Sequence, residues 1–123
     1  MCYVGTHDNA PVLAWKEEAD PADVALATRY LGLNDREGFH WGMIRGGQST
    51  VAKLFVAQLQ DYLGLGAEAR INTPGAFGGN WQWRLRPGLL APELADRMAE
   101  TARIYGRAPA RKTGGPAAGA ADA

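Results

Sequence analysis

The chain has 123 residues, of which 46% are hydrophobic, and this is enough to form the core of one domain. Its 13 basic and 13 acidic residues balance to a formal net charge of zero, so the sequence has no field that would attract nucleic acid or an anionic membrane, and neither is an expected partner. The one cysteine, Cys2, excludes an internal disulfide, and no apolar run is long enough to cross a bilayer, so we expect a soluble, cytoplasmic protein.

The first feature in chain order is a short apolar run that ends at residues 3–5 and is followed by Thr6-His7-Asp8-Asn9. A run this short predicts the end of a buried strand. A His-Asp pair directly after the carboxyl end of a strand is where α/β enzymes place groups that handle sugars or phosphates. The same four residues are also typical of an ordinary turn or helix cap, which is the commoner role. These residues alone leave both interpretations open.

Two helices are predicted after a loop over residues 11–18. The first helix begins at Pro21, where Asp20 provides the cap, and it ends before Gly32, which suits a left-handed stop. The second helix begins after Asn34 in a capping pattern, and a pair of glycines further along leaves its end open.

The second half of the chain contains one ambiguous segment, one long loop and a final helix. Residues 51–63 are apolar at helical spacing, yet residues 54–59 also suit a strand that is buried on both faces. The glycine-rich residues 64–84 include two tryptophans, which argue against disorder and predict a functional loop. A last helix is predicted over residues 92–105, followed by a disordered Ala/Gly/Pro-rich tail at residues 107–123.

The order of these elements predicts an α/β fold made of consecutive strand–helix units of a parallel sheet or barrel. Two parallel strands that are buried on both faces need neighbouring strands on either side. Nothing in the sequence precedes the first strand and could pair with it. We therefore expect the chain to be the C-terminal portion of a larger barrel, incomplete on its own.

Five short blocks follow one another in a fixed order between residues 3 and 85. They are Gly5-Thr6-His7-Asp8-Asn9, Trp41 with Ile44-Arg45, and residues 60–66, 69–75 and 79–84. Together they resemble the 4-α-glucanotransferases, also called amylomaltases or disproportionating enzymes. Any one block is weak on its own, but five in the order of the family are specific.

The resemblance implies a retaining (β/α)₈-barrel enzyme of the α-amylase clan. Such an enzyme transfers a segment of 1,4-α-D-glucan to the 4-hydroxyl of an acceptor glucose or glucan by double displacement. On this basis residues 1–106 would be the C-terminal part of the catalytic barrel, with residues 3–5 ending strand 7 and residues 54–59 forming strand 8. The family's nucleophile and acid/base come from earlier strands, which these 123 residues do not include.

The resemblance also implies the site residues. Asp8 matches the aspartate that stabilises the transition state, because a carboxylate binds vicinal sugar hydroxyls more tightly as the ring becomes cationic. His7 would donate a hydrogen bond to a neighbouring hydroxyl. Asn80 and Trp81 are candidate substrate contacts, with closure of a turn as the alternative for Asn80 and packing as the alternative for Trp81.

Three further polar residues are expected to have structural roles. Arg70 and Arg84 are expected to tie loops down through carboxylates, and Asp61 is expected to cap the helical turn that follows it.

His40 and the other candidate ligands lack metal-ligand spacing, so we expect no metal and no cofactor. Maltodextrins and α-1,4-glucans are the expected partners, and the oligomeric state is left open.

Two other functional classes stay open. One is a non-catalytic truncated remnant or glucan-binding module, which fits a chain without a nucleophile. The other is a His-Asp hydrolase of phosphate esters, which is disfavoured because the sequence offers neither a metal site nor a phosphate-binding glycine loop followed by lysine.

Overall fold

The computed structural model describes residues 1–109. These residues form a pair of short parallel strands with helices around them. The elements in chain order are β1 (Cys2–Tyr3), α1 (Val12–Glu18), α2 (Pro21–Leu31), α3 (Phe39–Gln48), β2 (Phe55–Val56), α4 (Leu59–Tyr62), a 3₁₀ turn (Ala67–Ala69) and α5 (Pro92–Ile104). Among these residues no helix is long and apolar enough to span a membrane.

Strands β1 and β2 are parallel, with Cys2 opposite Phe55 and Tyr3 opposite Val56. Three helices connect the two strands, so the predicted parallel α/β arrangement is confirmed. The predicted strand over residues 54–59 is correct in type but too long, because the chain already turns into helix α4 at Leu59.

Helix α2 has the bounds that its local signals predict. The Asp20 carboxylate accepts a hydrogen bond from the backbone N–H of Ala22 (2.8 Å), and Pro21 occupies the first helical position. Gly32 ends the helix in the left-handed region with φ of 63°. Both ends of this helix are therefore encoded within its own sequence.

Helix α3 begins later than predicted, and its end, which the sequence left open, lies at Gln48. The Asn34 side chain does accept a hydrogen bond from the Glu37 N–H (2.9 Å), but this bond closes a separate turn. Gly38 has φ of 94°, a value that no α-helix contains, so the helix starts only after it. The helix then continues through the pair of glycines that left its end open in the sequence.

Close packing explains the glycines near the end of α3. A Cβ atom at Gly46 would lie 2.8 Å from the Leu31 side chain, and one at Gly47 would overlap the Phe55 ring. Both positions therefore allow α3 to approach α2 and the sheet. This close packing offsets the free-energy cost of each glycine in a helix, which is about 1 kcal/mol relative to alanine.

Helix α1 corrects the prediction of a loop over residues 11–18. Pro11 precedes the helix and supplies no side-chain cap, so the sequence gives no local start signal. The cap comes from 49 residues away, because the Asp61 carboxylate accepts a hydrogen bond from the Val12 N–H (2.7 Å). Asp61 therefore caps a distant helix rather than the turn that follows it. Helix α1 packs against α3 through Trp15, which stacks on Phe39.

The core is built on α3. Trp41 packs edge-on against Tyr62, with ring centroids 5.5 Å apart, and the Arg97 guanidinium lies 4.0 Å from the Trp41 ring centroid. These contacts join α3 to α4 and α5. The buried hydrophobic residues are Val12, Ala14, Leu33, Phe39, Trp41, Ile44 and Ala69.

The end of the described chain is anchored by Arg107. Helix α5 confirms the predicted last helix, and Gly106 follows with φ of 66°. Arg107 then donates hydrogen bonds to the carbonyl oxygens of Gln48 (2.7 Å), Ala52 (2.8 Å) and Thr50 (3.0 Å). The predicted disordered tail thus starts too early at residue 107, and its residues 110–123 lie outside the described residues.

The half-buried His40 predicts how stability responds to pH. Burial, and to a smaller degree the charge of Arg97, lowers the pKa of His40 from its ordinary value of 6.5. Because folding favours neutral His40, its stabilising contribution is present above about pH 6.5 and is lost as the pH falls through the lowered pKa.

We therefore expect the free energy of unfolding of the 123-residue chain to decrease below about pH 6.5, and the His40→Gln variant to show a shallower decrease. Urea unfolding between pH 5 and 8, followed by tryptophan fluorescence, measures both. The same pH slope in the two proteins would contradict this role of His40.

Candidate active site

The loop after β1 is a closed turn that leaves His7 and Asp8 exposed. The Asn9 Oδ1 accepts hydrogen bonds from the Thr6 N–H (2.8 Å) and the Thr6 hydroxyl (3.0 Å), and the Asn9 N–H donates to the Thr6 carbonyl (3.0 Å). Thr6 and Asn9 therefore form the turn, and the two residues between them are free for other contacts. A turn formed by Thr6 and Asn9 is therefore compatible with a functional role for His7 and Asp8, although the sequence presented the two as alternatives.

The Asp8 carboxylate is held on one side. Its Oδ1 atom accepts a hydrogen bond from the Asn72 side-chain amide (2.6 Å) and lies 3.3 Å from the His7 Nε2 atom. The His7 and Asp8 side chains remain 52% and 48% exposed. No donor within residues 1–109 forms a hydrogen bond with the other oxygen, Oδ2. One oxygen is therefore fixed in place, and the other can accept hydrogen bonds from a ligand.

Trp81 lies beside this pair. Its ring centroid is 5.0 Å from that of His7, with an angle of 37° between the rings, and the residue is 58% exposed. Its φ of 62° is a rare conformation for a bulky residue. The Trp81 N–H donates to the Ile71 carbonyl (2.7 Å), and Arg84 donates to the Trp81 carbonyl (3.2 Å). A strained, exposed aromatic residue that is held in this way is typical of a functional site.

Asn80 is used inside its own loop. Its Oδ1 accepts a hydrogen bond from the Thr73 N–H (2.9 Å), and its amide donates to the Ala76 carbonyl (3.1 Å). Within the described residues, each hydrogen bond of this side chain joins it to residues 73–76. The geometry therefore favours the turn-closing role of Asn80, directly before Trp81.

Two arginines hold these loops, as expected, but through carbonyl oxygens rather than carboxylates. Arg70 donates to the Asp8 carbonyl (2.8 Å) and to the Asn72 carbonyl (3.0 Å), which ties the two loops together. Arg84 donates to the carbonyls of Trp81 and Trp83. Backbone carbonyls thus replace the carboxylate partners that the sequence suggested.

Asn72 is the residue of this site that the sequence analysis did not single out. It lies in the fourth block of the resemblance, two positions after Arg70, and its position there was the available signal. Its contact with Asp8 spans 64 residues, so no local pattern predicts it.

The carboxylate borders a concave space. A cavity of about 420 Å³ is lined by Asp8, Arg70, Trp15 and Met43 among others. Larger cavities, of about 500, 540 and 550 Å³, lie elsewhere among the described residues, and their linings include neither His7 nor Asp8. No cluster of His, Cys, Asp or Glu suited to a metal ion occurs in the part of the chain that the structure describes.

A half-exposed carboxylate beside an imidazole and an exposed indole, at the carboxyl end of a parallel strand, is an arrangement typical of sugar-binding α/β enzymes. The family model of glycoside hydrolase family 77, 4-alpha-glucanotransferase, matches residues 1–91. The chain therefore belongs to the 4-α-glucanotransferase family.

Individual relatives agree with this assignment. The chain is 42% identical over 108 residues to the 4-alpha-glucanotransferase of Clostridium butyricum, and 43% identical over 112 residues to that of Thermus thermophilus. Each match covers 87% of this chain and 22% of the relative. The chain thus spans about a fifth of the length of the curated relatives it matches.

A solved structure shows the same relationship. The amylomaltase from Streptococcus agalactiae in complex with acarbose matches with a TM-score of 0.81 and 33% identity, over 85% of this chain and 21% of that chain. The fold of this chain therefore matches one part of that amylomaltase. The assignment of β1 and β2 to particular barrel strands stays a prediction.

The loop that Asn80 closes gives a prediction about local opening. In an Asn80→Ala variant the Thr73 amide loses its acceptor, and a hydrogen bond of this kind contributes about 0.5–1.5 kcal/mol. We expect amide exchange at Thr73 to become up to about tenfold faster.

Hydrogen exchange with mass spectrometry of peptides from residues 70–82 measures this change. The matched control is Asn34→Ala, which removes a similar side-chain acceptor from the Glu37 N–H in a distant turn. Unchanged exchange at Thr73 in the Asn80→Ala variant would contradict the loop-closing role.

Proposed function

We propose that this chain is the part of a 4-α-glucanotransferase that supplies the transition-state-stabilising carboxylate, Asp8. The enzyme transfers a segment of 1,4-α-D-glucan to the 4-hydroxyl of an acceptor glucose or glucan by a retaining double displacement. The nucleophile and the acid/base belong to a segment outside these 123 residues. On this proposal residues 1–106 are the C-terminal part of the catalytic barrel, with β1 and β2 as its seventh and eighth strands.

The observation that carries the proposal is the one-sided support of Asp8. The Asn72 and His7 side chains lie against Oδ1 and hold the carboxylate in place. The Oδ2 atom is therefore available to sugar hydroxyls. A carboxylate that accepts hydrogen bonds from vicinal hydroxyls binds more strongly as the ring gains positive charge. Each charge-assisted hydrogen bond contributes about 1.5–3 kcal/mol, and the contribution is larger in the transition state than in the ground state.

The neighbours of Asp8 complete a surface for one sugar ring. The imidazole of His7 lies beside the carboxylate, so adjacent hydroxyls of the same ring reach both groups. The exposed indole of Trp81 offers an apolar face for the apolar side of a glucose ring. Asn80 acts by closing the loop that presents Trp81 rather than by direct contact.

Maltodextrins and α-1,4-glucans are the proposed substrates. What supports them is family membership together with the acarbose complex of the Streptococcus agalactiae amylomaltase. The reaction exchanges one glycosidic bond for another, so it calls for no cofactor. The cytoplasmic location stays a prediction.

A chimera provides the activity test. In this chimera, the 123-residue chain replaces the matching segment of the Thermus thermophilus 4-alpha-glucanotransferase. We expect the chimera to convert maltotriose into longer maltodextrins and glucose. The Asp8→Asn variant should lower kcat about 10²–10³-fold, because it removes a preorganised charge from the transition state.

The matched control is Asp35→Asn, which changes an exposed carboxylate in the turn between α2 and α3 and should leave kcat within about twofold. Chromatography of the maltodextrin products gives the rates. Full activity of the Asp8→Asn chimera, or a folded chimera without transfer activity, would contradict the proposed function.

The isolated 123-residue chain tests whether the reacting carboxylates lie outside it. Without a nucleophile and an acid/base it should leave maltotriose unchanged, even after long incubation at high protein concentration. Formation of longer maltodextrins by the isolated chain would show that these 123 residues contain the reacting carboxylates, and would contradict their assignment to another segment.

A further inference from the structure

Three side chains that follow β2 hold the backbone of the loop that carries Asp8. Gln58 donates to the Thr6 carbonyl (2.6 Å) at the start of the loop, and Arg70 donates to the Asp8 carbonyl (2.8 Å) at its centre. Asp61 accepts from the Val12 N–H (2.7 Å) where the loop enters α1. The loop is thus fixed at its beginning, middle and end.

Among these three side chains, Asp61 is the buried one. Asp61 is only 2% exposed, and burial raises the pKa of its carboxyl group, while the backbone hydrogen bonds from Val12 and, to a smaller degree, Gln58 oppose that shift. Placing a carboxylate in such surroundings costs free energy unless it forms strong contacts. The Val12 N–H, at the positive end of α1, is such a contact.

Helix α1 depends on this contact. It has seven residues, which is too short for a helix to be stable by itself, and Pro11 supplies no side-chain cap. The fully buried Pro11 directly precedes Val12 in the loop, so a shift of Val12 is transmitted to the backbone at Asp8 through only three intervening residues. The position of Asp8 relative to β2 is therefore set partly by Asp61.

We infer that Asp61 is a positioning residue for Asp8: its buried carboxylate fixes the start of α1 and thereby the distance of the Asp8 carboxylate from the transferred sugar. This inference rests on the proposed function of Asp8. A displacement of about 1 Å at a reacting group lowers the rate by up to about 100-fold, so the effect is measurable in kcat.

The test compares Asp61→Ala and Asp61→Asn in the chimera. Asp61→Ala removes the acceptor and should lower kcat about 10- to 100-fold with KM changed less than about threefold, because Asp8 acts mainly in the transition state. Asp61→Asn keeps an oxygen that accepts from the Val12 N–H, so its kcat should return to within about fivefold of the parent. If Asp61→Ala does not fold, Asp61→Ser, whose hydroxyl is a shorter acceptor, takes its place in the comparison.

The matched control is Asp20→Ala, which removes the aspartate cap of α2 but lies away from the Asp8 loop. It should leave kcat within about twofold, assayed well below the melting temperature of each variant. An equal loss of kcat in the Asp20→Ala and Asp61→Ala variants would mean that cap loss acts through folding alone, and would overturn the inference.

A double variant separates this inference from the proposed function. If Asp61 acts through Asp8, Asp61→Ala should change the residual kcat of the Asp8→Asn chimera by less than about twofold. The same large factor in both backgrounds would overturn the positioning role while leaving the role of Asp8 intact. Full activity of Asp8→Asn alone would refute the proposed function, whatever Asp61 does.

Discussion

The parallel pairing of β1 with β2 is the constraint on which the rest of the structure depends. Parallel strands end at the same edge of a sheet, so the loop after β1 and the long segment after β2 emerge side by side. This places Asp8 within hydrogen-bonding distance of Asn72, although 64 residues separate them in the chain. An antiparallel pair would have directed the two segments to opposite ends of the sheet.

Most of the interactions around Asp8 support its position rather than its chemistry. Arg70 and Gln58 donate to backbone carbonyls of the loop, and Asp61 accepts from the backbone where α1 begins. The Asn72 amide donates directly to a carboxylate oxygen of Asp8. In the proposed function, such preorganisation matters because a group that is already in place needs no rearrangement as charge develops on the sugar.

The sequence predicted those parts of the fold that are encoded locally. Helix α2 carries its own cap at Asp20 and its own stop at Gly32, and both were read correctly. Helix α1 was missed because its cap is Asp61, 49 residues away. Asn72 was missed as a site residue for the same physical reason. His7, Asp8 and Trp81 were recognised through family resemblance, and the structure brings them together.

In the proposed function, Asp8 binds the sugar more tightly in the transition state than in the ground state. The most direct measurement compares, in the chimera with and without Asp8→Asn, the kcat for transfer with the Kd for maltotriose. We expect kcat to fall by about two to three orders of magnitude while Kd changes by less than about tenfold. A rise in Kd with kcat unchanged would contradict this expectation, because Asp8 would then only bind substrate.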